Sequence, residues 1–429
     1  MKKLLLLLFI PSLGFTQSNL FYEKPSDIIA TKDPANTIGL SINTLFLENI
    51  SENSLDNLNI KIPFLDGDLE LTLQKFSIVN DQLIIISKTS LGDEQKLITP
   101  TLLSYKVFYK DKNIGVLNVV DNEVVATFTI NKKQYEISKF NNKYLLFESS
   151  NSINMSNFSC QVESQFSSIN VESNLPINVC VELAIEIDYY TRQTFNSDLE
   201  TINWALAIIA GVSQLYEAQT NASISVVNTI IWNDPDPYAS IVNDASYMLS
   251  EIKSYWQTNN NSISRDLVHL LSKRSNTGTG GIAYLNGLCS NNSGYAFSSA
   301  MNNDTTYSFP NPTYTWNLMV VTHEVGHNFG ANHTHWCGWS ADPLYGFSGG
   351  GIDNCGVMAG YANDCSPPAP PPAGGFGTIM SYCHTGASGA SGTVLNFHDI
   401  VLSQALTPGI SSANCLTACG EGCTDSLAF

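Results

Sequence analysis

The sequence predicts an α/β (α+β) domain over its C-terminal part, preceded by a mainly β domain. Three observations carry this. Residues 18–160 are a series of short alternating segments, among them LELTLQKFSIV, QLIIISKT, IGVLNVVDNEVVATFTI, KQYEISKF and KYLLFES, and alternation with period two is the strand signature. From Cys180 onward, strand-like runs are interleaved with longer runs of helical spacing. After VTHEVGHNFGANHTHWCG, Val321 to Gly338, the chain is rich in Gly, Pro and Ser, which predicts loops. The boundaries that follow are 1–16, 17–175, 176–418 and 419–429.

Taken in order, Lys2 and Lys3 precede LLLLLFIPSLGF, with an acceptable small-residue cleavage site at Gly14-Phe15-Thr16. This reads as a signal peptide over 1–16, and it is too short to span a membrane. The chain carries 38 acidic against 20 basic residues, a net charge of −18, which argues against nucleic acid and anionic membrane as partners. Ten cysteines fit an oxidising compartment, so the expected location is extracellular. The β-rich domain ends in a Ser/Asn-rich linker that contains Cys160 and has no Lys or Arg between Lys143 and Arg192. A protease specific for basic residues therefore has no site there, and cleavage at an apolar bond is expected.

Within 176–418, CVELAIEIDYYTRQTF predicts a strand and then an amphipathic turn. TINWALAIIAGVSQLYEAQTNASISVVNTIIWNDPDP predicts a long helix, a strand pair and a turn. ASYMLSEIKSYWQTN predicts a second helix, and RDLVHLLS and GGIAYLNGLCS two more strands. SPPAPPPAGGFG, Ser366 to Gly377, predicts a stiff loop, either at a cleft rim or as a surface spacer. The tail CGEGCTDSLAF looks like the start of a short cysteine module.

The chemistry concentrates in Val321–Gly338, which holds four of the chain's seven histidines. His323 and His327 are four residues apart and share one face of a helix. Two neutral imidazoles so placed can hold a divalent metal, and Gly330 permits the left-handed turn that brings His333 back as a third ligand. Three protein ligands leave one position open, the arrangement of a catalytic site. Glu324 follows the first ligand, so its carboxylate points beside the metal, where a general base for water belongs. His335 is expected to point away from the metal, at the surface or behind the ligands, and the same is expected of His384 and His398. His269 reads as a packing residue in a strand.

This extended motif resembles the metzincin zinc endopeptidases, whose downstream methionine turn is matched by GTIMSYCH with Met380 as the turn methionine. The order of elements over 178–416 resembles the reprolysin (ADAM/adamalysin) branch of peptidase family M12. The resemblance implies a mixed five-stranded sheet with an active-site helix and a loop-rich lower subdomain. It also implies one catalytic Zn2+ on His323, His327 and His333, Glu324 as base, and peptide substrate added as a strand along Gly280–Leu285. It makes 17–175 a propeptide domain that inhibits a latent zymogen, an N-terminal binding module that stays attached being the other reading, with Cys160 a candidate latency ligand for the zinc. The working form is expected to be a monomer acting on extracellular proteins. Calcium is implied at Glu182 and Asp266, although the expected asparagine near Ala418 is absent. Thr334 stands where reprolysins have an aspartate that anchors the lower subdomain. Tyr382, two residues after the methionine, follows the astacin and serralysin pattern and is a candidate transition-state stabiliser, with a packed aromatic as the other reading.

The resemblance implies a Cys289–Cys415 disulfide, and Cys337–Cys383 and Cys355–Cys365 are further candidate pairs. Seven cysteines between 180 and 415 cannot all pair among themselves. Either Cys180 takes Cys160, which the count favours, or Cys180 takes a tail cysteine and Cys160 is free. The alternatives to a secreted metalloendopeptidase are an inactive protease-like binding protein, a zinc hydrolase of non-peptide bonds, and an enzyme of the astacin/serralysin-like branch.

Overall fold

The computed structural model describes residues 18–24, 37–65, 67–79, 83–140, 143–149, 160–163, 178–301, 314–385 and 392–419. The segment expected to be a signal peptide, most of the linker and Cys423 lie outside the described residues. The first part of the chain supplies β1 (Ser18–Asn19), β2 (Phe21–Glu23), β3 (Ile38–Ile42), β4 (Asn57–Phe64), β5 (Gly67–Phe76), β6 (Leu83–Thr89), β7 (Gly92–Ile98), β8 (Leu103–Tyr109), β9 (Lys112–Val120), β10 (Glu123–Ile130), β11 (Lys133–Phe140) and β12 (Lys143–Glu148). One helix, α1 (Thr44–Asn53), interrupts them; Asn43 caps it by accepting from the Phe46 amide. Ten of the strands form one sheet, in the order β1-β4-β5-β8-β9-β10-β11-β12-β3-β2. The hairpins from β8 to β11 turn on Lys110-Asp111, Asp121-Asn122 and Asn131-Lys132, all at positive φ. That is the type I′ geometry whose twist suits a two-residue hairpin.

One face of this sheet is apolar. Leu117, Val119, Ala126, Phe128, Tyr135 and Ile137 pack there with Leu47 and Ile50 of α1. The opposite face carries Asn118, Thr127, Gln134 and Glu136, polar yet buried, because the C-terminal domain covers it.

The second sheet is built from β13 (Cys160–Glu163), β14 (Val179–Ile187), β15 (Ala222–Trp232), β16 (Leu267–Leu271), β17 (Gly281–Tyr284), β18 (Tyr295–Ser298) and β19 (Thr417–Ala418). Its order is β13-β17-β18-β16-β14-β15-β6-β7, with β19 beside β14. Strands β14 to β18 make a five-stranded mixed centre in which β17 runs antiparallel to β18. Four strands from elsewhere extend it. β18, a four-residue buried strand, is too short to show a period in the sequence, and β15 is one run of 11 residues where a strand pair is predicted. The predicted boundaries keep 17–175 whole, whereas the β6–β7 hairpin pairs with β15 across that boundary.

Helices cover both faces. Between the sheets lies α3 (Asp198–Thr220), following the short α2 (Tyr189–Arg192); α3 is buried on nearly every side for most of its length, as an all-round apolar helix must be. On the other face α4 (Ala245–Asn259) lays Met248, Leu249, Ile252 and Trp256 against Ile230, Val268 and Phe297. Beside α3 runs α5 (Tyr314–Asn328), buried along its whole length. Beyond it the chain forms short 3-10 turns and loops as far as 385, the predicted loop-rich region. Among the described residues no helix is long and apolar enough to cross a membrane.

Candidate active site

α5 puts His323 and His327 one turn apart on one face. At Gly330 the chain takes φ 100°, and the Ala331 amide bonds back to the Gly326 carbonyl at 2.9 Å. This reversal returns His333 to the same point. The His327 Nε2 lies 3.1 Å from the His323 Nε2 and 3.2 Å from the His333 Nε2. The Nδ1 atoms of His323 and His327 each sit 2.6 Å from a carbonyl, of Ile379 and Ala331. A carbonyl only accepts, so these Nδ1 atoms carry the proton and the Nε2 atoms present bare lone pairs. Burial reinforces the neutral form: it depresses His323 and His333 well below the usual imidazole range and His327 to about 4. Lone pairs converging this closely repel unless a cation lies between them. A tetrahedral ion bonded to nitrogen at about 2.0–2.1 Å would hold its ligands about 3.3 Å apart. The three residues therefore fit a divalent metal.

The bed beneath them is equally specific. Met380 is fully buried, and a Cβ on Gly326 would stand 2.7 Å from its sulfur, so the glycine inside the motif lets the turn press against the helix. Thr334 donates its amide to the Met380 carbonyl at 3.0 Å. Its hydroxyl lies 3.5 Å from the same carbonyl and beside the buried Asp353, whose carboxylate can accept its proton. The anchor placed in doubt by Thr334 is thus supplied by Thr334 and Asp353 together, a partnership no local spacing reveals.

Glu324 lies wholly buried, and among the described residues its carboxylate meets no donor but the Cys160 thiol. A Cβ on Gly281 of β17 would collide with it, so that glycine makes room for the carboxylate. Burial raises the Glu324 carboxyl well above the usual carboxylate range, which makes it avid for a proton. Against this group lies Cys160. Strand β13 runs parallel to β17 with Cys160 opposite Gly281. The thiol, a His323 ring nitrogen and a Glu324 oxygen all lie within 4.8 Å of one another. The Tyr382 hydroxyl donates to the Cys160 carbonyl, and its ring centre is 4.5 Å from that of His333.

Apart from Cys160 and its strand, these features lie within one continuous segment. The sequence model of Metallo-peptidase family M12 matches residues 178–392, half of the 429-residue chain. The chain belongs to metallopeptidase family M12. No curated protein matches this peptidase. Among solved structures it is similar to metalloproteinase-II from Bacteroides fragilis, at 11% identity and a TM-score of 0.40 over 67% of this chain and 85% of that one.

The remaining expectations divide. His335 does not join the cluster of Nε2 atoms; its ring lies parallel to His333 at 5.2 Å and meets Tyr361 at 4.9 Å. His384 packs beside Trp316, His398 accepts from the Ile400 amide, and His269 on β16 meets Ser298 at 2.9 Å. Cys289–Cys415 forms as expected. The other pairs are corrected to Cys337–Cys365 and Cys355–Cys383. Cys383 follows Tyr382 into the floor of the site, where the 3-10 turn at Cys355–Ala359 meets it, while Cys337 and Cys365 meet beside the His335 loop. Cys160 does not pair with Cys180, which takes Cys419 where β19 joins β14. Among the described residues Cys160 is the free cysteine. Glu182 and Asp266 adjoin, with Asp266 accepting from the Glu182 amide at 2.8 Å. The sulfurs nearest Asp266 are locked in the Cys289–Cys415 bond, and no third acidic side chain joins the two among the described residues.

Proposed function

We propose that this M12 metallopeptidase is a secreted zinc endopeptidase made as a latent zymogen. The observation that carries the proposal is the convergence of three imidazole Nε2 atoms beside a buried Glu324 that no cation neutralises among the described residues. His323, His327 and His333 would hold the zinc. Bound there, zinc supplies Lewis-acid polarisation of the scissile carbonyl and lowers the pKa of water. Glu324 takes the proton of the attacking water and passes it to the leaving amine. Tyr382 donates to the oxygen that gains charge, a role supported by its bond to the Cys160 carbonyl, which occupies the cleft as a substrate carbonyl would. Substrate lies along β17 as an added strand.

Latency follows from the occupant already on β17. The Cys160 thiol of β13 lies against Glu324 and His323, and a soft sulfur ligand suits the open zinc position. Export is supported by the apolar segment before residue 17 and by four disulfides. The test is cleavage of casein after the linker is removed, with zinc measured on the same samples. Glu324→Gln should keep one zinc and lose turnover by roughly 10³-fold or more. Equal turnover in the variant would take Glu324 out of the reaction, and zinc-loaded wild type that cuts nothing would defeat the protease reading.

A further inference from the structure

We propose that the N-terminal β domain is a retained, non-covalent subunit of the working enzyme, and that only the segment around β13 leaves on activation. The proposal rests on the zymogen reading for what activation means, but its evidence lies elsewhere, in how the two domains are joined.

The first observation is the β6 strand. Ile85 to Lys88 pair in parallel with Thr229 to Trp232 of β15. Leu83 and Ile85 enter the core that contains α3 and α5, while Ile86 packs against the core under α4. A strand with both faces covered is an internal part of its sheet. Its end is tied further: the Asn233 amide group donates to Ser87 at 2.6 Å, and the Ser90 amide to Asp234 at 2.6 Å.

The second observation concerns α5, the helix that carries His323, Glu324 and His327. Its first turn contains no acidic residue. The carboxylate that caps it comes from the other domain: Glu136 on β11, wholly buried, accepts from the Tyr314 amide at 3.3 Å and the Thr315 amide at 2.9 Å. Amides in the first turn of a helix lack a partner within it, and a carboxylate suits the positive end of the dipole. Nearby, Asn118 donates to the Ala207 carbonyl at 3.1 Å and to the Tyr314 hydroxyl at 2.7 Å. Thr127 meets Thr315 at 3.1 Å, and Gln134 accepts from the Leu395 amide at 3.3 Å. Departure of the N-terminal domain would strand these buried groups and open the edge of β15.

β13 is joined to the two domains through residues 150–159 and 164–177, so two cuts free it while every contact above remains. The cleft opens, and the cap on the active-site helix stays.

The test uses the full-length chain with a site-specific protease sequence inserted after residue 155 and another after residue 170. Once a denaturing gel shows both cuts, native gel filtration should return the two large fragments together, separating only in denaturant. Elution of the N-terminal fragment alone under native conditions would overturn the proposal. Glu136→Ala in the uncut chain probes the same interface without a cut. Hydrogen exchange at the Tyr314 and Thr315 amides should quicken at least tenfold, and unchanged exchange would remove the cap from the argument. Neither readout depends on casein cleavage, so failure here is distinct from failure of the protease reading.

Discussion

The two ends of the central sheet make an instructive pair. At each end a strand from outside the M12 segment is added in parallel, β6 on β15 and β13 on β17. The first is seven residues of LIIISKT, backed by β7 and buried into two cores. The second is four residues, CQVE, and among the described residues no further strand lies outside it. Backbone pairing alone does not hold a strand; burial of its side chains does. One end is therefore built to stay and the other to leave, and the end built to leave is the one that carries Cys160 against Glu324.

That contrast can be broken most readily by truncation. Ile85→Ala removes a fully buried side chain and should cost about 2–5 kcal/mol of unfolding free energy, read by denaturant titration. A loss under about 1 kcal/mol would make β6 as dispensable as β13. Next comes pH. Glu186, at the β15 side of the sheet, accepts from Trp232, Trp256 and Tyr238, and burial raises its carboxyl from 4.5 to about 7. Because the folded value is the higher one, its stabilisation is complete below pH 4.5 and is lost as pH rises through 7. The change is on the order of 3 kcal/mol. Glu186→Gln should flatten this part of the stability profile, and an unchanged slope would assign it to other groups. The smallest effect is expected at the other end: Val162→Ala, in the half-buried middle of β13, should cost less than about 1 kcal/mol.

What could be read from the sequence follows the same division between local and distant. His323, Glu324, His327, Gly330 and His333 lie within eleven positions, so helix geometry alone brings them together. Met380 and Tyr382 became legible through a second motif. The partners that complete the site come from far along the chain. Cys160 reaches Glu324 through a parallel strand, and Asp353 reaches Thr334 through a loop. The pairing of Cys337, Cys355, Cys365 and Cys383 depends on how the lower loops fold, which separation along the chain does not determine. Glu136 is the most telling case. In KQYEISKF it alternates with Tyr135 and Ile137, together with Gln134 and Ser138, a pattern that reads as a solvated face. The face is polar because it meets helix ends and carbonyls of the second domain rather than water. A strand pattern shows that two faces differ; it does not show what lies against each.

The most direct measurement compares casein cleavage by the uncut, zinc-loaded full-length chain and its Cys160→Ser variant. If β13 closes an otherwise complete site through its thiol, the variant should gain at least about tenfold in rate, equivalent to ~1.4 kcal/mol, with the linker intact. Equal rates for the two would contradict the account, since Cys160 would then not be what holds the site shut.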